Sequence, residues 1–302
     1  MTQAELIKKI NHLKKEKNAI ILAHCYQRPE IDFVADFVGD SLSLSHKASS
    51  VDADIILFAG VTFMAETAKI LSFEKKVLYP NKDAGCLMAD MINLDMLNNF
   101  KKQHPGMPVV CYVNSSAEIK ANSDICCTSA NAIEVVKSLN TEKVLFVPDR
   151  GLGSYVNSML KDTEVICFSG CCPIHMTITP KDIQAVKEKY PDAKVLVHPE
   201  CSLDVIQMAD CVGSTTKIME YAKNSSDKQF IIVTEKGVVD RLNRDYPEKE
   251  FVLGSEKAIC QNMKCNTLED ILYSLENECY EVNLDENVAK AARSSIERML
   301  AI

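Results

Sequence analysis

The chain has 302 residues, 47% hydrophobic and 25% charged, with a formal net charge of −8. That is globular composition with room for two or three modest domains. The acid excess and the lack of a basic stripe argue against nucleic acid as a partner, and no apolar run approaches the ~18–20 residues of a membrane span.

The first segment, MTQAELIKKINHLKKEKNAI, predicts an amphipathic helix with Leu6, Ile10 and Leu13 on one face. It lacks the apolar core and small-residue cleavage site of a signal peptide, so the expected compartment is the cytoplasm. Thirteen cysteines are then expected as reduced thiols, each with core packing as its default role. No C-x-x-C pair occurs, which disfavours a zinc ribbon or a thioredoxin-like site.

A pattern begins at AIILAHCY (19–26), an apolar run ending in a polar and aromatic cluster. ADFVGDS, ending at Ser41, follows it. Two further apolar runs come next, DIILFAG (54–60) and KVLYPNK (76–82), with the helical stretch VTFMAETAKIL between them. The methionine-rich CLMADMINLDML predicts a helix facing a core. The order then recurs. MPVVCYVN (107–114), SDICCTS, KVLFVPD (143–149) and EVICFSG (164–170) form a second set. AKVLVHPE (193–200), ADCVGST, QFIIVTE (229–235) and EFVLGSE (250–256) form a third. His24 to Ser41, Tyr112 to Ser129 and His198 to Thr215 are each 17 residues apart, with an Asp at 36, 124 and 210 in the same place.

Apolar runs alternating with helical stretches indicate parallel βαβ units. The expected fold is α/β: three pseudo-threefold-related three-layer α/β/α domains, each with a short, three-stranded parallel sheet. Their bounds are 1–104 with the N-terminal helix, 105–191, and 192–302 with the C-terminal helix DENVAKAARSSIERMLAI. Parallel sheets bind ligands at the carboxyl ends of their strands. His24, Tyr26, Tyr112, Asn114, His198 and Glu200 therefore fall on one rim. Ser41, Ser129 and Thr215 fall where helices start and are expected to be N-caps and ligands together.

Cysteines fall on the same rim. His24 to Cys86 and His198 to Cys260 are both 62 residues, and Tyr112 to Cys172 is 60. The frames AGC-LM, GCC-PI and AIC-QN align Cys86, Cys172 and Cys260, leaving Cys171 as a neighbour. Cys111, Cys126, Cys127, Cys167, Cys201 and Cys211 are assigned to packing. Three convergent thiolates suit an iron–sulfur cluster with one open iron, and equally a three-thiolate zinc site.

Long, ordered motifs then identify a resemblance. AHCYQRPEI, DFVGDSLSLS, GVTFMAETAKIL, CYVNSSAEIKANSDICCTSAN, FVPDRGLG, CCPIH, VHPECSLDVIQMADCVGSTTKI and CQNMK run along almost the whole chain. It is similar to the quinolinate synthase family, the iron–sulfur enzymes of de novo NAD biosynthesis. The resemblance implies one 4Fe–4S cluster held by Cys86, Cys172 and Cys260. It implies condensation of iminoaspartate with dihydroxyacetone phosphate to quinolinate, losing phosphate and two waters. It also implies transient contact with the enzyme that supplies iminoaspartate. His24, Ser41, Tyr112, Asn114, Ser129, His198, Glu200 and Thr215 would bind substrate. Glu200, Tyr26, Tyr112 and His198 would be catalytic, with Glu200 the general base at a carboxyl pKa raised toward neutral. Leu87 and Gln261 stand where family members often carry proline, and the C-x-x-C-x-x-C arrangement of some longer members is missing. His175, without a counterpart in the other units, is left out of the site. A zinc hydrolase and a non-catalytic binding module of three lobes remain the alternatives.

Overall fold

The computed structural model describes residues 1–302. Helix α1 (Gln3–Glu16) starts from a capping box in which Thr2 Oγ1 accepts the Glu5 N–H while the Glu5 carboxylate accepts that of Thr2. The first unit follows as β1 (Ala19–His24), β2 (Phe37–Gly39), α2 (Ser41–Ser50), β3 (Ile55–Ala59), α3 (Thr62–Leu71), β4 (Lys76–Leu78) and α4 (Leu94–Gln103). The second holds β5 (Val109–Tyr112), α5 (Ala117–Ala121), β6 (Ile125–Cys127), α6 (Ala132–Ser138), β7 (Lys143–Val147), α7 (Arg150–Met159), β8 (Glu164–Cys167), α8 (Pro173–Met176) and α9 (Pro180–Lys189). The third holds β9 (Lys194–Val197), α10 (Leu203–Ile206), β10 (Cys211–Val212), α11 (Thr215–Asn224), β11 (Gln229–Val233), α12 (Lys236–Asp245) and β12 (Glu250–Leu253). Two helices close the chain, α13 (Leu268–Asn277) and α14 (Glu286–Leu300). No helix is long and apolar enough to cross a membrane.

The same parallel sheet is built three times, in the orders β2-β1-β3-β4, β6-β5-β7-β8 and β10-β9-β11-β12. Each sheet has four strands, where the sequence predicts three. The extra strands β2, β6 and β10 are two or three residues long, too short for a period of two to show. They explain the repeated aspartates. Asp36, Asp124 and Asp210 each accept a backbone N–H from the first strand of their sheet, at Ile21 (2.8 Å), Val109 (2.7 Å) and Val195 (2.8 Å). Each returns its own N–H to the carbonyl of the same residue. The aspartate thus pins the start of the short edge strand and fixes its register. The methionine-rich segment is also not one helix: a 3-10 turn at Ala89–Met91 ends before Asn93 caps α4.

The units share their cores. Leu44 and Phe58 of the first unit belong to one apolar cluster with Leu196, Ile218 and Phe230 of the third. Ile70 and Leu71 of α3 join the core of the second. α1 and α13 cover the outer face of the first sheet through Leu6, Ile10, Ile271 and Leu275. α14 follows the third unit in sequence but packs on the second, where Ala292, Ile296 and Met299 are buried with Val110 and Ile125. Burying each large side chain of this kind stabilises the fold by about 1.5–3 kcal/mol.

The joints between units form a ring. A Cβ on Gly151, in the first turn of α7, would lie 2.3 Å from the carbonyl oxygen of Glu200 in the third unit. A Cβ on Gly237, at the same place in α12, would lie 2.9 Å from Tyr26 Cα in the first. At the start of α3, the Phe63 carbonyl accepts from Lys120 Nζ (3.4 Å) and Glu66 accepts the Ala117 N–H (2.8 Å), both in the second. Gly151→Ala sets a methyl against backbone that cannot swing away. It is expected to destabilise by about 2–3 kcal/mol in a denaturant midpoint measurement, and an unchanged midpoint would show that the joint is looser than it looks.

Candidate active site

The twelve residues singled out in the sequence all line one cavity to which all three units contribute, of about 830 Å³ counting the space at its mouth. β1, β5 and β9 deliver His24, Tyr112 and His198 at their carboxyl ends, and the following turns deliver Tyr26, Asn114 and Glu200. Ser41, Ser129 and Thr215 are there too, but not as N-caps. The caps of α2 and α11 are Asp40 and Ser214, whose side chains accept from Ser43 and Lys217, and Asn131 precedes α6. Ser41 and Thr215 are the first helical residues, so their hydroxyls are not committed to capping.

The cysteine alignment has a structural counterpart. The first N–H of α3, α7 and α12 donates to the carbonyl of Ala84 (2.9 Å), Gly170 (2.8 Å) and Ala258 (2.8 Å). Each acceptor lies two residues before Cys86, Cys172 and Cys260. Backbone N–H groups of the following turn then point at each sulfur: Met88 and Ala89 at Cys86, His175 at Cys172, Asn262 and Met263 at Cys260. Three sulfurs therefore face three short helical turns, a setting that stabilises thiolate. Burial works the other way. It pushes the Cys86 thiol up to about 12 and raises Cys172 and Cys260 as well, with Cys260 adding to the rise at Cys86 and Cys86 to that at Cys172. Backbone amide donors around three buried sulfurs suit a set of soft ligands for a metal. A further metal-capable group is Cys172, His175 and Glu200, whose ligand atoms lie within 4.8 Å of one another.

His175 is the residue that sequence reasoning missed. Its Nδ1 lies 2.7 Å from Glu200 Oε2 and 3.2 Å from Cys172 Sγ, and its ring stacks on His198 at 4.7 Å. A signal was present: Pro173 opens a helical turn in which His175 is three residues from Cys172. Thr234 is a second omission. Its hydroxyl lies 2.9 Å from His175 Nε2 and 2.8 Å from Tyr26 OH. Tyr112 OH donates to Glu200 Oε1 at 2.6 Å, and Thr215 donates to Tyr26 OH at 3.3 Å. The result is a continuous chain, Thr215–Tyr26–Thr234–His175–Glu200–Tyr112, drawing on all three units. Asn114 Oδ1 is buried without a hydrogen-bond partner.

Charge in the cavity is sorted by these contacts. Burial raises the Glu200 carboxyl, but His175, with His198 and the Tyr112 hydroxyl, outweighs it and holds the group below the usual carboxylate range. That reverses the expectation of a pKa raised toward neutral: Glu200 is an ionised, hydrogen-bonded carboxylate. Burial, reinforced by Glu200, raises both Tyr26 and Tyr112 well above their ordinary range, so both stay phenols. Burial lowers His24 to about 4 and His198 to about 3, against partial opposition from Asp40 and Glu200. Tyr26 N–H donates to His24 Nδ1 (3.2 Å) and Glu200 N–H to His198 Nδ1 (3.4 Å), which leaves the proton of each neutral ring on Nε2.

These imidazoles set an acid limit for the metal-free protein. Their folded pKa values lie below the unfolded value of about 6.5, so the unfolded chain takes up protons first as pH falls. Stability is fully present above that pH and drops on the way down to about 4, by about 1.4 kcal/mol per ring for each unit. Urea midpoints of metal-free protein across this window check the slope. His24→Asn should flatten it, and a slope that is already flat would mean that neither ring is desolvated.

Comparison with known proteins shows the family. The family model described as quinolinate synthetase A protein matches residues 8–301. The quinolinate synthase of Alkaliphilus metalliredigens is 50% identical over 302 residues, covering 100% of both chains. That of Methanosarcina barkeri is 51% identical, covering 100% of this chain and 99% of the relative. That of Dehalococcoides mccartyi is 53% identical over 294 residues, covering 97% of each. The chain belongs to the quinolinate synthetase A protein family and is an enzyme of that type.

Proposed function

We propose that the enzyme condenses iminoaspartate with dihydroxyacetone phosphate to quinolinate, releasing phosphate and two waters, as a cytoplasmic step of NAD biosynthesis. Cys86, Cys172 and Cys260 would hold one 4Fe–4S cluster. The observation that carries this reading is the triple recurrence of a cysteine facing a helical turn on the wall of one cavity. When bound, such a cluster with an open iron supplies Lewis-acid polarisation of a substrate oxygen.

The chain's own residues supply the rest. His24 and His198 present Nε2–H donors suited to carboxylate or phosphate oxygens. The first turns of α2 and α11 add unpaired N–H groups and the hydroxyls of Ser41 and Thr215, while Ser129 and Asn114 line the same cavity. Glu200 is ionised and can accept a proton from carbon next to a carbonyl or imine. Its bond to His175 lets that proton pass along Thr234 to Tyr26, which can return it to a leaving hydroxyl. Tyr112, whose hydroxyl donates to the other carboxylate oxygen, is assigned to hydrogen-bond an enolate oxygen.

Anaerobic purification with iron and sulfide analysis, followed by an assay for quinolinate, tests the proposal. About four irons and four sulfides per chain and a brown protein are expected for a cubane held by cysteines. The Cys172, His175 and Glu200 group offers a second reading, a mononuclear zinc centre. His175 Nδ1 and Glu200 Oε2 already face each other at 2.7 Å, which leaves that group less open to an ion. A colourless protein with one zinc would favour it.

A further inference from the structure

Val61, Asp149 and Glu235 occupy the same place in the three units, each the N-cap of the helix whose first N–H holds a cysteine loop. They differ chemically. Val61 carries no acid. Asp149 accepts from Gly151 and Leu152 through one oxygen, and its other oxygen has no partner. Glu235 alone is matched by a cation. Its side chain is 1% exposed, and Lys264 Nζ approaches it at 3.1 Å.

The Glu235–Lys264 pair brackets the segment that carries Cys260. Glu235 Oε1 accepts the Cys260 N–H at 3.3 Å, while Oε2 accepts the Gly237 N–H at 2.6 Å. Between Cys260 and Lys264 the chain makes one tight turn, in which the Lys264 N–H bonds back to the carbonyls of Cys260 and Gln261. Lys264 also reaches out of its own unit: Nζ donates to the Tyr26 carbonyl, and the Lys264 carbonyl accepts from Arg28 Nε at 2.7 Å. One buried carboxylate thus fixes both ends of the cysteine turn, and its lysine fastens that turn to the segment bearing Tyr26.

We propose that Glu235 and Lys264 are positioning residues for the metal: a clamp that presents Cys260 for coordination and couples its placement to the Tyr26 segment of the first unit. The proposal rests on the reading of Cys260 as a metal ligand. Neither residue is assigned contact with substrate. Their effect passes through the backbone of the cysteine turn, and partners at one remove from a metal typically change its retention by about 10–100-fold when removed.

The test is the rate at which anaerobically reconstituted holoenzyme yields iron to a chelator. Glu235→Gln keeps shape and an acceptor for the Cys260 N–H but loses the charge that holds Lys264. Lys264→Met removes the cation, and Lys264→Arg restores it. Both Glu235→Gln and Lys264→Met are expected to release iron at least about tenfold faster than wild type, with Lys264→Arg recovering most of the loss. Lys249→Met is the control for general loosening. Lys249 Nζ bonds the carbonyls of Ala222, Lys223 and Ser225 at the far end of α11, so its loss should lower the melting temperature with wild-type iron release. Wild-type rates in both clamp variants would overturn the proposal, and so would equal acceleration in Lys249→Met. Wild-type protein that binds no iron would instead overturn the metal reading on which the clamp depends.

Discussion

Cys172→Ala is expected to purify without the iron proposed for the site, whereas Cys171→Ala is expected to purify with it. The two thiols are adjacent, yet their surroundings differ in kind. Cys172 has its loop held two residues upstream by the first N–H of α7, receives the His175 N–H on sulfur, and lies 3.2 Å from the His175 ring. Cys171 donates its own N–H to Met91 Sδ at 3.4 Å and holds the place of Gly85 and Ile259. Cys86→Ala and Cys260→Ala should behave like Cys172→Ala, because on the proposed reading each removes one of three thiolate ligands. Iron and sulfide content after anaerobic purification is the measurement, with a fall of more than about tenfold expected in the three ligand variants. Loss in Cys171→Ala together with retention in Cys172→Ala would invert the assignment.

Glu200→Gln should lower turnover by about 10²–10⁴-fold with metal content unchanged. The amide keeps the shape of the carboxylate but cannot take a proton at neutral pH. It also breaks the pairing with His175 on one side and changes what Tyr112 meets on the other. Because His175 and Tyr112 hold Glu200 below the ordinary carboxylate range, wild-type turnover should show no loss between pH 8 and 6 that can be assigned to this group. Near-normal turnover in Glu200→Gln would remove it as the base. A wild-type acid limb near neutrality that vanishes in the variant would show the carboxyl to be far less stabilised than its contacts indicate.

What could be read from the sequence was whatever the chain repeats. The 17-residue interval and its aspartate are visible because one job, pinning an edge strand by two backbone bonds, is done three times. The cysteine positions are visible for the same reason. Features that occur once had no such marker. His175 and Thr234 complete the hydrogen-bond chain without counterparts in the other units, so the repeat was silent about them. The fourth strands leave no mark in the sequence because two or three residues carry no alternation. The ionisation of Glu200 is not legible in the sequence because its partners are distant along the chain: Tyr112 lies 88 residues away and comes into contact only when the ring closes.

The placement of α13 and α14 has a bearing on synthesis. A ribosome releases all three sheets before either helix, yet α13 covers the first unit and α14 the second. The earliest part of the chain must therefore wait, with apolar faces open, for the latest. The cavity shares that delay, because Cys260, Glu235 and Glu200 all emerge from the third unit. A nascent chain paused before α13 should bind chaperone and no metal, so that loading of the centre follows completion of the fold.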